Sequence, residues 1–247
     1  MLPKIEDIGR YAIFLDLDGT LAELVDHPDA VRVDPSTLRL LEALKEKAGG
    51  ALAVVSGREI AVVDQLMRPL QLPVAGVHGL ERRDADGVMH SRVAPDISPI
   101  TFVIEKVVGD EVGVIIERKP GAVALHYRLR PDLERRYCEL IHDVVGKRPD
   151  LRLLHGKMVF EVVPRGSDKG NVIEAFLRER PFLGRTPLFA GDDITDEAGF
   201  SVVNARGGVS IKIGGGESRA RYRARDLRQF HLWLGELVDN RHEERIH

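Results

Sequence analysis

The sequence predicts an α/β fold: a parallel sheet with crossover helices, interrupted by a smaller α+β unit. Three observations carry that expectation. Short apolar runs alternate with helical patterns over residues 11–69, the order of a parallel sheet. Several of those runs stop abruptly on acids or on Ser-Gly residues, as strands do where a sheet ends in a polar edge. From about Asp96 the order becomes helix, strand, strand, twice over, before the first pattern resumes at Arg165.

The first strand is expected over residues 11–17, apolar apart from Asp16 and free of Gly and Pro. It runs out on Asp16 and Asp18, two positions apart and so on one face, and Gly19 permits a tight turn after them. A loop follows over residues 21–33. Asp34-Pro35 reads as an N-cap with proline at the first helical position, Leu38, Leu41 and Leu44 continue the helix, and Gly49-Gly50 stop it. Residues 51–55 form a second buried strand ending in Ser56-Gly57-Arg58, and Ile60, Val63 and Met67 trace the next helix, closed by Pro69. Residues 73–80 give another short strand, and Asp84-Ala-Asp-Gly87 a hairpin turn into a return strand over 88–93.

A short helix over residues 100–108 opens the second unit, followed by strands over 112–118 and 122–128 joined at Lys119-Pro120-Gly121. Pro131 starts a helix carrying Tyr137, Leu140, Ile141, Val144 and Val145, and strands over 151–154 and 158–163 complete the unit. Residues 97–164 are therefore expected to form an inserted α+β cap, with 1–96 and 165–247 making the core. Ser167 can cap a helix bearing Val172, Ile173, Phe176 and Leu177. Residues 188–190 form a buried strand breaking into Gly191-Asp192-Asp193, residues 208–213 a last strand, and Asp226 caps a C-terminal helix with Leu227, Phe230, Leu234 and Leu237 on one face.

Composition narrows the function classes. The chain has 247 residues, 43% hydrophobic and 30% charged, enough for a sizeable core. A formal net charge of −3 and an isoelectric point near 6.3 oppose nucleic-acid binding and adhesion to anionic membranes. Cys138 is the only cysteine, so no intrachain disulfide can form and a reducing compartment fits. No apolar run approaches the roughly 18 residues of a membrane span, and residues 1–7 have no apolar signal core. A cytoplasmic protein with no membrane partner is expected.

Polar chemistry lies just past a buried strand or at a helix start in four places: Asp16/Asp18, Ser56-Gly57-Arg58, Lys169-Gly170 and Gly191-Asp192-Asp193. Singly, each has an ordinary alternative: Ser56 as a helix N-cap, Lys169 as a solvated lysine, the paired acids as a turn. Adjacent carboxylates, however, repel one another unless a cation lies between them. In their order the four resemble the four motifs of the haloacid dehalogenase-like (HAD) phosphatases. That resemblance implies a Rossmannoid parallel-sheet core with an inserted C2-type cap, and phosphoryl transfer as the reaction. It implies Asp16 as nucleophile forming an aspartyl-phosphate, and Asp18 as the acid that protonates the leaving oxygen and the base that activates water. Ser56 and Lys169 would bind phosphoryl oxygens. Asp16, the backbone carbonyl of Asp18 and Asp192 would hold Mg²⁺, with Asp193 supporting that shell.

The residues between the motifs narrow the likeness further. Asp16-Leu-Asp-Gly-Thr-Leu-Ala22, Val55-Ser-Gly-Arg58, Gly76-Val-His-Gly-Leu-Glu81 and Gly191-Asp-Asp-Ile-Thr-Asp-Glu197 resemble stretches of the trehalose-6-phosphate phosphatases. Within the cap, Ile116-Glu-Arg-Lys119, His126-Tyr-Arg128 and Gly156-Lys-Met-Val-Phe-Glu161 fall where that family carries sugar-binding residues. On short antiparallel strands such charges are ordinarily a solvated face. The resemblance implies instead that Glu117, Lys119 and Glu161 hold the distal glucose of a small sugar-phosphate substrate, with His126, Arg128 and Lys157 beside them. Arg58 and His78, on core loops, would add further contacts. A functional link to a trehalose-6-phosphate synthase is implied, and a monomer is expected. Two departures stand out: Leu17 replaces a frequent aromatic residue, and Asp168 replaces an amide, putting another negative charge near the site. Three rival readings stay open: a phosphatase for another sugar phosphate such as sucrose 6-phosphate or mannosyl-3-phosphoglycerate, a phosphomutase, and a non-catalytic sugar-phosphate sensor.

Overall fold

In a computed structural model, residues 1–239 are described; residues 240–247, which the sequence reading assigns to the core, lie outside the described residues. In chain order the elements are β1 (Tyr11–Leu15), α1 (Pro35–Lys47), β2 (Leu52–Val55), α2 (Ile60–Met67), β3 (Val74–Gly76), β4 (Glu81–Arg83) and β5 (Met89–Ser91). Next come α3 (Ser98–Val108), β6 (Ile115–Lys119), β7 (Ala122–His126), α4 (Glu134–Val145), β8 (Leu151–Gly156) and β9 (Val159–Pro164). The chain then forms α5 (Lys169–Phe176), β10 (Thr186–Gly191), α6 (Glu197–Ala205), β11 (Val209–Ile213), β12 (Tyr222–Ala224) and α7 (Leu227–Val238).

An eight-stranded sheet has the order β12-β11-β10-β1-β2-β3-β4-β5. Its strands run parallel from β12 to β3, and β4 and β5 add an antiparallel hairpin at one edge. The chain leaves β1 toward β2 and β3 on one side and returns to β10 on the other. The carboxyl end of β1 is therefore the switch point where open α/β sheets form their crevice. Alternation along β1 explains its two-sided burial. Ile13 and Leu15 pack with residues of α1, α2 and α7, whereas Ala12 and Phe14 pack with residues of α5 and α6. Phe14 lies 5.4 Å from Phe182 and 5.9 Å from Phe176, centroid to centroid. Each such fully buried side chain contributes about 1.5–3 kcal/mol of transfer free energy.

The second sheet is antiparallel, in the order β6-β7-β9-β8. One face packs under α3 and α4 through Ile104, Tyr137, Ile141, Val123, Leu125 and Phe160. The other face meets the core through a small apolar cluster of Val77, Leu80, Ala122 and Val163. No helix among the described residues is long and apolar enough to cross a membrane.

Three expectations need correction. The first strand ends at Leu15, not at residue 17. The Leu17 carbonyl instead accepts the N–H groups of Thr20, Leu21 and Ala22, closing a tight loop beyond the sheet. Helix α5 is capped by Asp168, whose carboxylate accepts the Asn171 N–H at 2.8 Å; the buried Ser167 hydroxyl has no hydrogen-bond partner among the described residues. Finally, β12 follows the strand that was expected to be last.

Candidate active site

Sheet register brings the acids together. Leu15 of β1 lies opposite Ala190 of β10, and the Asp16 N–H donates to the Ala190 carbonyl at 3.0 Å. Neighbouring strands lie roughly 4.8 Å apart, so the residues that follow them, Asp16 and Asp192, emerge side by side. Asp196 joins them from a 3-10 turn at Ile194–Asp196. Carboxylate oxygens of Asp16, Asp192 and Asp196, all buried, lie within 4.8 Å of one another.

Lys169, in the first turn of α5, is buried between two of these acids. Its Nζ donates to Asp16 Oδ1 and to Asp196 Oδ1, each at 2.6 Å. Burial alone would lower the lysine, but Asp16 and Asp196 outweigh it and hold it charged. Burial, with Asp196 and Asp192 nearby, pushes Asp16 well above the usual carboxylate range against the pull of Lys169. Asp192 is pushed up to about 6, chiefly by burial, although Lys157 from the β8–β9 turn donates to its carboxylate. Three crowded carboxylates offering hard oxygen donors, two of them (Asp16 and Asp192) raised, suit a small divalent cation. Asp196 spends its two oxygens on Lys169 and on the Asp193 N–H, the latter at 2.9 Å. Asp192 has one oxygen on Lys157, and Asp16 accepts from Lys169 at 2.6 Å and, at a longer 3.3 Å, from Thr20.

Asp18 lies beside this cluster and is gripped by Arg58, whose Nε and one terminal nitrogen donate to its two oxygens at 2.8 and 2.9 Å. The other terminal nitrogen of Arg58 reaches the Pro28 carbonyl at 3.1 Å. Ser56 is fully buried, and its Oγ accepts the Arg58 N–H at 3.1 Å, so it shapes the loop. Of the residues singled out from the sequence, all but Ser56 line one cleft between core and cap: Asp16, Asp18, Arg58, His78, Glu117, Lys119, His126, Arg128, Lys157, Glu161, Lys169, Asp192 and Asp193. The cleft encloses about 890 Å³ of space between side chains, open solvent at its mouth included.

The cap wall is a charged network. Glu161 accepts from Lys119 Nζ at 2.5 Å and pairs with His78 Nε2 at 2.7 Å. Burial would raise Glu161, but Lys119 and His78 prevail and hold it well below the usual carboxylate range. Glu117 pairs with His126 at 2.9 Å and lies 3.6 Å from Lys119. Arg128 donates to the Val25 carbonyl at 2.6 Å. His78 reaches Glu161 from a strained turn, with φ of 47° at Val77 and 52° at His78. Left-handed backbone in a β-branched residue costs of order 1–3 kcal/mol and is kept where surroundings enforce it. Gly57 clears the way, since a Cβ there would lie 2.7 Å from His78 Nε2.

Sequence reasoning missed Asp196, Lys212 and Thr20. Asp196 comes from a 3-10 turn whose direction the spacing does not show. Lys212 is buried on β11 and donates to the Asp192 carbonyl at 2.6 Å. Thr20 Oγ donates to Asp16 Oδ2 at 3.3 Å. Asp168, expected to add charge near the site, faces the start of α5 instead: its second oxygen accepts the Asn171 amide at 3.0 Å.

The family model described as trehalose-phosphatase matches residues 14–228. The chain is 44% identical over 228 residues to the trehalose-6-phosphate phosphatase of Escherichia coli (strain K12), covering 92% of this chain and 86% of that protein. A C. albicans trehalose-6-phosphate phosphatase C-terminal domain superimposes with a TM-score of 0.83 at 24% identity, covering 93% of this chain and 92% of that one. A haloacid dehalogenase-like hydrolase from B. subtilis shares the fold, with a TM-score of 0.65 at 14% identity over 92% of this chain and 99% of the other.

Proposed function

The chain belongs to the trehalose-phosphatase family, and from that premise we propose that it hydrolyses trehalose 6-phosphate to trehalose and phosphate through an aspartyl-phosphate on Asp16. A carboxylate is an adequate nucleophile at neutral pH without a separate base. Asp16 Oδ attacks phosphorus in line with the sugar O6, and the P–O6 bond breaks as Asp18 gives its proton to the departing oxygen. Asp18, now ionised, takes a proton from water; that water attacks the phosphorus and releases inorganic phosphate and the Asp16 carboxylate. Lys169, already 2.6 Å from Asp16, offers positive charge to the phosphoryl oxygens throughout. Arg58 holds Asp18 in place between these steps.

Asp16, Asp192 and the Asp18 backbone carbonyl would hold Mg²⁺, with Asp193 and Asp196 supporting them. The ion, when bound, offsets the repulsion between the carboxylate attacker and the phosphate. Glu117, Lys119 and Glu161, with His126, Arg128 and Lys157, would hydrogen-bond the sugar hydroxyls, charged groups making the strongest such bonds. A cytoplasmic monomer supplied by a trehalose-6-phosphate synthase completes the proposal.

The convergence of Lys169-held Asp16 with the Glu117–Lys119–Glu161 network in one cleft supports it most directly. The experiment is phosphate release from trehalose 6-phosphate, sucrose 6-phosphate and glucose 6-phosphate, with and without Mg²⁺. Trehalose 6-phosphate is expected to be preferred, turnover to need Mg²⁺, and Asp16→Asn to abolish it. Equal turnover of glucose 6-phosphate would overturn the substrate, and an active Asp16→Asn variant the nucleophile.

A further inference from the structure

On the cap, away from the cleft, a second group of ligand-type side chains meets. Cys138 and His142 lie one turn apart on α4, and His155 stands opposite them on β8. Their donor atoms, one per residue, lie within 4.8 Å of one another. Residues four apart on a helix share a face. On β8, alternation puts His155 on the same face as Leu151 and Leu153, both packed in the cluster beneath α4. The rings of His142 and His155 are 5.7 Å apart, and His155 meets Phe160 edge-on at 5.2 Å. Beyond these ring contacts, neither imidazole has a hydrogen-bond or ion-pair partner among the described residues. Packing accounts for the half-buried Cys138, which joins the apolar cluster under α4; it does not account for two exposed, unpaired imidazoles turned toward its sulfur.

We propose that Cys138, His142 and His155 form a three-ligand site for a borderline divalent metal such as Zn²⁺ on the outer side of the cap. A sulfur with two imidazole nitrogens selects zinc or its neighbours over Mg²⁺, the reverse of the all-oxygen cluster at Asp16 and Asp192. Bonds of about 2.3 Å to sulfur and about 2.0–2.1 Å to nitrogen put tetrahedral donors roughly 3.3–3.6 Å apart. Rotation of the two exposed imidazoles covers the remaining gap. Binding releases the Cys138 thiol proton to solvent, both histidines ligate as neutral rings, and the fourth position takes water. The ion would tie α4 to β8, the strand whose following turn carries Lys157 to Asp192.

The test titrates Zn²⁺ and Co²⁺ into the reduced full chain in excess Mg²⁺. One ion per chain is expected, with a thiolate-to-cobalt charge-transfer band. Cys138→Ser should lose the band, and His142→Ala and His155→Ala should each weaken Zn²⁺ at least about tenfold, while Asp192→Asn leaves uptake intact. The two histidines are exposed, so their variants remain decisive if Cys138→Ser folds poorly. Absence of the band, uptake unchanged in both histidine variants, or uptake lost in Asp192→Asn would each overturn the site.

Discussion

Gly19 turns the chain just after Asp16 and Asp18 with φ of +79°, and a Cβ there would lie 2.2 Å from an Asp192 oxygen. Gly19→Ala therefore combines left-handed backbone, costing roughly 1 kcal/mol, with a displaced Asp192. Loss of at least about 1 kcal/mol in denaturant unfolding is expected, together with a higher half-saturating Mg²⁺ concentration for any residual turnover. The grip of Arg58 on Asp18 makes a second residue-scale prediction. Arg58→Lys keeps the charge but not the bidentate fork, so kcat should fall between about tenfold and a hundredfold with little change in KM. A change confined to KM would make Arg58 a substrate contact and nothing more. Asp16, Asp18, Lys169 and Asp192 were legible because they end apolar runs or open a helix. Asp196 was not: its carboxylate turns back under Lys169 only because a 3-10 turn follows Asp193, and nothing in the spacing alone says where that turn points. Thr20 and Lys212 were hidden for a similar reason, since one sits in a loop and the other inside an apolar strand.

At the scale of elements, hydrophobic period located every long strand and helix of the sheet near β1, and errors gathered at ends and edges. β12 is three residues long, with Arg223 in its middle, too short for alternation to register. It pairs only because β11 offers an open parallel edge. The start of α5 was misjudged because Ser167 and Asp168 are both good caps, and only the backbone decides which carboxylate or hydroxyl meets the Asn171 N–H. That choice has a kinetic consequence. An aspartate occupied at the helix start cannot perturb chemistry at Asp16, so Asp168→Asn should leave kcat, KM and the pH profile unchanged. Stability should stay within about 0.5 kcal/mol, because Asn caps nearly as well as Asp. A shifted pH profile would return Asp168 to the site.

For the whole molecule, three polar contacts that join cap to core also build the cleft. Glu161 of β9 meets His78 of the core at 2.7 Å, Lys119 of β6 donates to the Gly57 carbonyl at 2.9 Å, and Lys157 meets Asp192. Glu161 sits at the centre of this seam, buried and held ionised by Lys119 and His78. A carboxylate whose folded pKa is depressed adds stability that is fully present above its unfolded value, near 4.5 here, and is lost as pH falls through the folded value. Acid should therefore weaken the protein and the cap–core seam together. Denaturant midpoints measured from roughly pH 7 down to roughly pH 3 should fall below about pH 4.5, beyond what exposed carboxylates contribute. Glu161→Gln should be less stable at neutral pH, by up to about 3 kcal/mol, since it leaves Lys119 with Glu117 at 3.6 Å as its remaining counter-charge. Its midpoint should then change less over the acid range than that of the parent. If both proteins lose stability in parallel as the pH drops, Glu161 is not the group that couples the seam to protons, and the cap–core seam is held by the apolar contacts of Val77, Leu80, Ala122 and Val163 instead.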